Sequence, residues 1–412
     1  MRLVFFLVAF CGLLYFLFSY RQFDFFSLSF FSSCMYFSPG FLGFTFQYEP
    51  GNNSGEILDA TYLVMILVLS AIILGALIFD KHVHYKRLSI SLNKVNYISH
   101  IALLLSIAGF LLTIYQSRSI FYLSDKSVIL ENVSRWHTIW VVSAGISAVL
   151  SFIKKKYLIF SISMLLILLD FYVGFRVTIV LTVISIMTYL LSNNGKSRIA
   201  ISRWKEILFF SFSAIFILLY KQFYILVKLR EWNLIIYRLN NFRGIIDTLT
   251  RSEPFIIQAT LNEVIRNNFH ASLEHFSGIF HNFILFSPNL GIETISFNSL
   301  FQPVLFPNIT SGMASNIWAE MWSIGGWLLL IFFVFLYVLF ISLGSYLLNI
   351  TDPALKGLII ILFSYWSFYI HRNDISYQIT LERRVFLIWL FCLIGSYLVL
   401  TILPTKFAYE TD

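Results

Sequence analysis

Charged side chains are scarce in this chain, so the places where they interrupt apolar sequence carry the first chemical information. Asp170 closes an apolar run and is followed by Gly174-Phe175-Arg176, a turn of a few residues between two hydrophobic segments. An ionisable group at membrane depth is costly and marks either function or an internal ion pair, and both readings hold for Asp170. Arg176 has no charge-topology reason to occupy that turn, so it reads either as a headgroup anchor or as a phosphate ligand. His371, Arg372 and Asp374 form a similar cluster after a later apolar segment, with Arg383 and Arg384 closing the same turn. A guanidinium stays charged and meets phosphate oxygens two at a time, so arginines converging from separate turns suit a diphosphate. Glu320 ends the run Ser315-Asn316-Ile317-Trp318-Ala319-Glu320, just before Gly325-Gly326. A carboxylate there is either a base or orienting group for a hydroxyl, or a solvated residue stabilised by a helix N-terminus. His270, Glu274, His275 and His281 invite a metal reading, but their spacing is not that of a zinc helix. They read as surface histidines, one of them a candidate general base, and no metal or other cofactor is expected.

The elements that must position these groups follow from composition. With 58% hydrophobic and 12% charged residues and a mean hydropathy of +0.79, the chain is excluded from the soluble globular class, where about a quarter of residues are charged. Each membrane-spanning helix needs about 20 apolar residues, because lipid offers the backbone no hydrogen-bond partners. About eleven stretches qualify: 3–20, 25–46, 61–79, 97–115, 136–153, 158–173, 177–191, 207–227, 322–348, 357–370 and 385–403. Ser32, Ser33, Ser38, Pro39, Gly40 and Gly43 interrupt the second, which either spans or re-enters as a hairpin. The first reads as a retained helix, since its apolar run exceeds that of a signal peptide and no small-residue cleavage site follows. Short loops rich in Lys and Arg stay in the cytoplasm. Lys81, Lys86, Arg87 and Lys94, then Lys154 to Lys156, then Lys196, Arg198, Arg203 and Lys205 fall on one side when the N-terminus is placed outside. The expected fold is therefore an all-α polytopic membrane bundle of about eleven helices, with membrane helices at 1–227 and 322–412 and a long extracytoplasmic loop at 228–321. Cys11, Cys34 and Cys392 all sit in apolar segments and imply no disulfide framework. The net charge of +8 is largely this sidedness bias, and no nucleic-acid motif is present.

The loop of roughly ninety residues, set among nearly continuous apolar segments, is what an enzyme at a membrane surface needs to build a polar site. Trp232, Ile235, Ile236, Leu239, Phe242, Ile246 and Leu249 recur at helical spacing, with Arg238, Asn241 and Asp247 opposite. Ser252-Glu253-Pro254 is a helix start, continued by Phe255, Ile256, Leu261, Val264 and Ile265. Both helices are expected along the membrane surface as a lid. A weaker third helix is expected over 271–286, and 287–311 reads as ordered loop.

Several of these features, taken in order, resemble one family. They are Gly174-Phe175-Arg176 between close helices, the long outer loop, Leu305-Phe306-Pro307, the stretch from Gly312 to Glu320 leading into Gly325-Gly326, and Arg372-Asn373-Asp374. The chain from the sixth segment onward resembles the Wzy-type O-antigen polymerases, which join oligosaccharide repeat units of bacterial surface polysaccharide. The resemblance implies a GT-C-like membrane glycosyltransferase of the bacterial inner membrane. Its substrate would be an undecaprenyl-pyrophosphate-linked oligosaccharide, with membrane lipids, a chain-length regulator and a flippase as partners. It further implies Arg176 and Arg372 as pyrophosphate contacts and Glu320 and His281 as acceptor-side catalytic groups. Arg230, Arg238, Asp170 and Asp374 would bind substrate. An O-antigen ligase shares this architecture and donor, although the stretch from Gly312 to Gly326 favours the polymerase. A lipid-linked oligosaccharide flippase would show two similar halves, and no internal repeat is visible. A transferase using a monosaccharide phospholipid would place an acid in its first outer loop, where Glu49, Glu56 and Asp59 read as solvated charges.

Overall fold

The computed structural model describes residues 1–46, 55–83, 97–123, 126–193, 195–209, 211–212, 226–240, 252–283, 295–309 and 312–402. Among them the fold is all-helical, with only two isolated β-bridges, Arg21 to Ser197 and Phe44 to Glu56. The helices are α1 (Arg2–Phe18), α2 (Phe25–Tyr36), α3 (Ser38–Leu42), α4 (Asp59–His82), α5 (Ile98–Ser117), α6 (Lys126–Asn132), α7 (Arg135–Ile153), α8 (Tyr157–Val173), α9 (Val177–Ser192) and α10 (Ile199–Ser202). They continue as α11 (Trp232–Asn240), α12 (Glu253–Arg266), α13 (Leu273–His281), α14 (Phe297–Leu305), α15 (Ile317–Ile350), α16 (Pro353–Tyr369) and α17 (Ile375–Ile402).

Among the described residues five helices are long and apolar enough to cross a membrane: Asp59–His82, Ile98–Phe121, Arg135–Ile153, Ile317–Ile350 and Ile375–Ile402. Five shorter apolar helices accompany them. The stretch expected at 207–227 lies largely outside the described residues. Exposure identifies the solvent. On α15, Leu328, Ile331, Phe332, Phe335, Leu339 and Leu343 are exposed at helical spacing, while Leu330, Val334, Tyr337, Ile341 and Leu348 face inward. A stripe of that size facing outward is stable against hydrocarbon and not against water, so the protein belongs in a membrane.

The second segment is not one spanning helix. Its α2 portion rises about 18 Å and stops at Tyr36, and α3 follows after a break at Phe37. The buried serines of α2 each have a partner: Ser27 with Asp24, Ser29 with Tyr337, Ser32 with the Phe368 carbonyl and Ser33 with His371. Hydroxyls on a helix surrounded by others serve as interhelical contacts. That is why so polar a sequence occupies the centre of the bundle.

Four further expectations are corrected. First, α12 does not lie on the surface: from Glu253 to Val264 nearly every residue is buried, packed against α2, α3, α4 and α15. Its polar side chains hold neighbouring helix ends. The Asn262 amide oxygen accepts from the Leu58 N–H and Thr61 hydroxyl, its amide nitrogen donates to the Glu56 carbonyl, and the Gln258 amide donates to the Tyr36 carbonyl. Second, α15 begins at Ile317, capped by Asn316, ahead of the expected start at 322, and it breaks at Gly325-Gly326. Gly326 sits at φ 57° and ψ −149°, a region open essentially to glycine alone. Third, α17 begins at Ile375, so Arg383 and Arg384 are helical and do not close a turn. Fourth, the expected loop 287–311 contains α14.

One end of the bundle is held by Arg21, buried between Asp24 and Asp80, and by Gln22 on the Ser192 carbonyl. The basic turn Lys154 to Lys156 joins α7 to α8 at this end. The opposite end gathers the N-terminus beside Asp59, the C-terminus of α2, the Arg176 turn, α12 and the 370–374 turn.

Candidate functional site

At that second end a cavity of about 480 Å³ opens between α2, α9, α12 and the turn after α16. Its polar mouth is lined by Arg176, Arg372, Glu253, Tyr36, Tyr369 and Tyr377. The rest is largely apolar, with Ser32 and Ser211 the exceptions: Leu28, Phe31, Met35, Val180, Val183, Ile184 and Met187 form the walls, and Leu17, Phe23, Leu191 and Ile199 the far end. From Val177 to Leu191 the trench follows α9 for about 21 Å. It is thus a deep apolar slot with two guanidinium groups at its entrance.

Arg176 is delivered by a tight turn. At the end of α8, Gly174 takes φ 113°, which lets the Gly174 N–H reach the Phe171 carbonyl and the Phe175 N–H reach the Asp170 carbonyl. The Asp170 side chain meets the His137 Nε2 of α7 at 2.8 Å, and the Phe175 ring lies 4.7 Å from the His137 ring. Asp170 therefore braces the turn and does not line the cavity. No hydrogen bond or ion pair engages the Arg176 guanidinium among the described residues. Arg372 lies over the Tyr369 ring at 5.5 Å and forms an ion pair with Glu253. Burial opposes its charge, but Glu253 and the neighbouring tyrosines outweigh that penalty and hold the guanidinium above its ordinary value.

The turn bearing Arg372 is pinned from several sides. The His371 Nδ1 accepts from the Trp318 indole at 2.9 Å, and its Nε2 meets the Ser33 hydroxyl at 3.0 Å. Complete burial pushes the imidazole down to about 3. Asn373 donates to the Tyr365 hydroxyl and the Gln378 amide oxygen. The Asp374 carboxylate accepts from the Phe297 and Tyr377 N–H groups, the starts of α14 and α17. Burial raises that carboxyl, with the Tyr377 and Phe297 N–H groups opposing the rise. Glu320 accepts from the Ile375 N–H and pairs with the His275 Nε2, each at 2.9 Å. It is fully buried, so it is not the solvated residue of the simpler reading. Neither Glu320 nor Asp374 lines the cavity; both fix the turn that does.

Of the remaining expected site residues, His281 is exposed at the end of α13 and Arg230 is exposed in a turn at φ 59°. Neither lines the cavity. The Arg238 side chain lies outside the described residues, as do Asn241, Asp247 and Glu49. His270, Glu274, His275 and His281 do not gather with other ligand types into a cluster of metal-binding form among the described residues. The sequence pointed to both arginines but not to Glu253, whose place after Ser252 and before Pro254 signals only a helix start. Comparisons with protein-family models, with curated proteins and with solved structures find no match.

Proposed function

We propose that this chain is a membrane glycosyltransferase that polymerises undecaprenyl-pyrophosphate-linked oligosaccharide repeat units at the outer face of a bacterial cytoplasmic membrane. In this reading the bundle has about eleven spans and a GT-C-like arrangement, and the described helices are its core. One observation supports it above the others. Arg176 and Arg372, from two separate turns, line the mouth of a single apolar trench, the form needed for a lipid tail ending in a diphosphate. Breaking the bond from sugar to phosphate builds negative charge on the leaving diphosphate, and prepositioned guanidinium groups stabilise that charge as it develops. The acceptor is the terminal sugar of an incoming lipid-linked repeat, which attacks the anomeric carbon of the growing chain.

The test is a lipopolysaccharide gel from a deletion strain and its complemented variants. Loss of the chain should leave core bearing one repeat unit, whereas core bearing none would point to a ligase or flippase. Arg176→Ala and Arg372→Ala should each collapse the ladder while protein level holds. Normal ladders from both would overturn the reading.

A further inference from the structure

A second cavity, of about 450 Å³, lies on the face of α9 next to the arginine-lined trench, the two meeting at Val183. Phe152 of α7, Phe160 and Met164 of α8, and Ile186 and Leu190 of α9 form its walls, with the exposed Phe209 at its edge. Among the described residues its only polar lining is Lys205 and Glu206. The turn that carries Lys154 to Lys156 joins the two helices bearing Phe152 and Phe160, whose rings lie 5.4 Å apart. The groove therefore reaches the basic end of the bundle. Hydrocarbon walls between membrane helices with cations at one rim match the layout of a phospholipid, chain along the walls and headgroup at the rim.

The cations at that rim are not balanced by the protein. Glu206 is taken by Arg203, whose guanidinium donates to it at 2.9 Å. No hydrogen bond or ion pair engages the ammonium groups of Lys155, Lys156 or Lys205 among the described residues. Lys205 instead lies over the Trp204 ring at 5.7 Å, and an exposed indole of this kind suits headgroup depth. Burial, with Lys156 close by, holds the Lys154 ammonium below its ordinary value, and burial does the same to Lys156. Partly desolvated cations crowded together gain from an anion that reaches them. A phosphate diester is such an anion. A phosphocholine headgroup would bring its own cation to the same lysines, so the net charge of the headgroup decides which phospholipid is held.

We propose that the groove between α7, α8 and α9 is a binding site for an anionic phospholipid of the leaflet at the basic end of the bundle, its acyl chain along Phe160, Met164 and Leu190 and its phosphate on Lys205 and the Lys155-Lys156 turn. Lipid that only coats the bundle exchanges without regard to headgroup, whereas this site selects by charge. It lies at the end of the protein opposite the arginine mouth, and it stands whether or not the chain handles a lipid diphosphate.

The full chain in detergent, titrated with phosphatidylglycerol or phosphatidylcholine and read by native mass spectrometry, tests this directly. The natural chain should hold phosphatidylglycerol at least fivefold more tightly, and equal affinity overturns the proposal. Lys155→Gln combined with Lys205→Gln, both at exposed positions, should bring the two lipids within twofold, while Arg176→Ala combined with Arg372→Ala should leave the preference in place. A preference that survives loss of the lysines, or disappears with the arginines, puts the anion elsewhere and overturns the site. Should the lysine variant not elute as a monodisperse protein, nanodiscs give a second reading. The fluorescence owed to Trp204, taken as the difference between the natural chain and Trp204→Phe, should be quenched at least twice as strongly by phosphatidylglycerol with brominated acyl chains as by the same fraction of brominated phosphatidylcholine. Equal quenching sinks the inference.

Discussion

An indole N–H can only donate, and this fixes the protonation of His371. Because Trp318 donates to its Nδ1, the proton of the neutral ring lies on Nε2 and is donated to Ser33, whose own hydroxyl donates to the Ser29 carbonyl. A second proton on Nδ1 would set donor against donor in a fully buried site. The folded protein therefore refuses a proton that the unfolded chain accepts below about 6.5. Stability from this group is complete above that value and is lost as pH falls toward about 3. Thermal midpoints in detergent should drop on acidification from neutral pH more steeply for the natural chain than for His371→Gln, whose amide reproduces the acceptor and donor without titrating. Parallel curves would contradict this. The sequence placed His371 beside Arg372 and Asp374 but could not show that two of the three are braces. That distinction lies in which helix starts they reach, Phe297 and Tyr377 for Asp374, and those contacts are remote in sequence. Glu253 was silent for a different reason. An acid in the first turn is common to helix starts generally, so nothing local marked it for the cavity.

At the scale of elements, helix positions in the apolar segments were legible and helix placement in the loop was not. The four segments from 97 to 191 coincide closely with α5, α7, α8 and α9, because long apolar runs admit only one backbone solution in lipid. The period of α12 was also legible, yet a helical stripe of polar residues looks the same whether it faces water or caps neighbouring helices. Gln258 and Asn262 do the second. Asn262→Ala should therefore act as a core mutation. It strips an acceptor from the Leu58 N–H and Thr61 hydroxyl at the start of α4, which costs about 2 kcal/mol where buried donors lose their partner. Thermal unfolding of the purified protein should show a clear drop, whereas a midpoint equal to that of the natural chain would return α12 to the surface.

For the whole molecule, the sequence bias in lysine and arginine agrees with how the helices alternate. Arg21, Lys154 to Lys156 and the start of α10 share one end, and the arginine-lined mouth opens at the other. Positive loops favour the cytoplasm, so exposed Lys155 is expected inside and exposed Glu231 outside. In a background where Cys11, Cys34 and Cys392 are replaced, a membrane-impermeant maleimide added to intact cells should label Glu231→Cys and spare Lys155→Cys. The opposite pattern would invert the orientation and put the cavity mouth on the cytosolic side.

The depth of the slot beside α9 has a consequence separate from its charged entrance. On the proposed reading, a prenyl carrier with the same headgroup would meet the two arginines whatever its length, and a short tail would leave the floor near Leu191 and Ile199 unfilled. The tail's alternative surroundings are bilayer hydrocarbon and not water, so what a methylene seated there gains is close packing. On the proposed reading the slot would serve as a ruler beside the clamp, with selectivity among carriers following tail length.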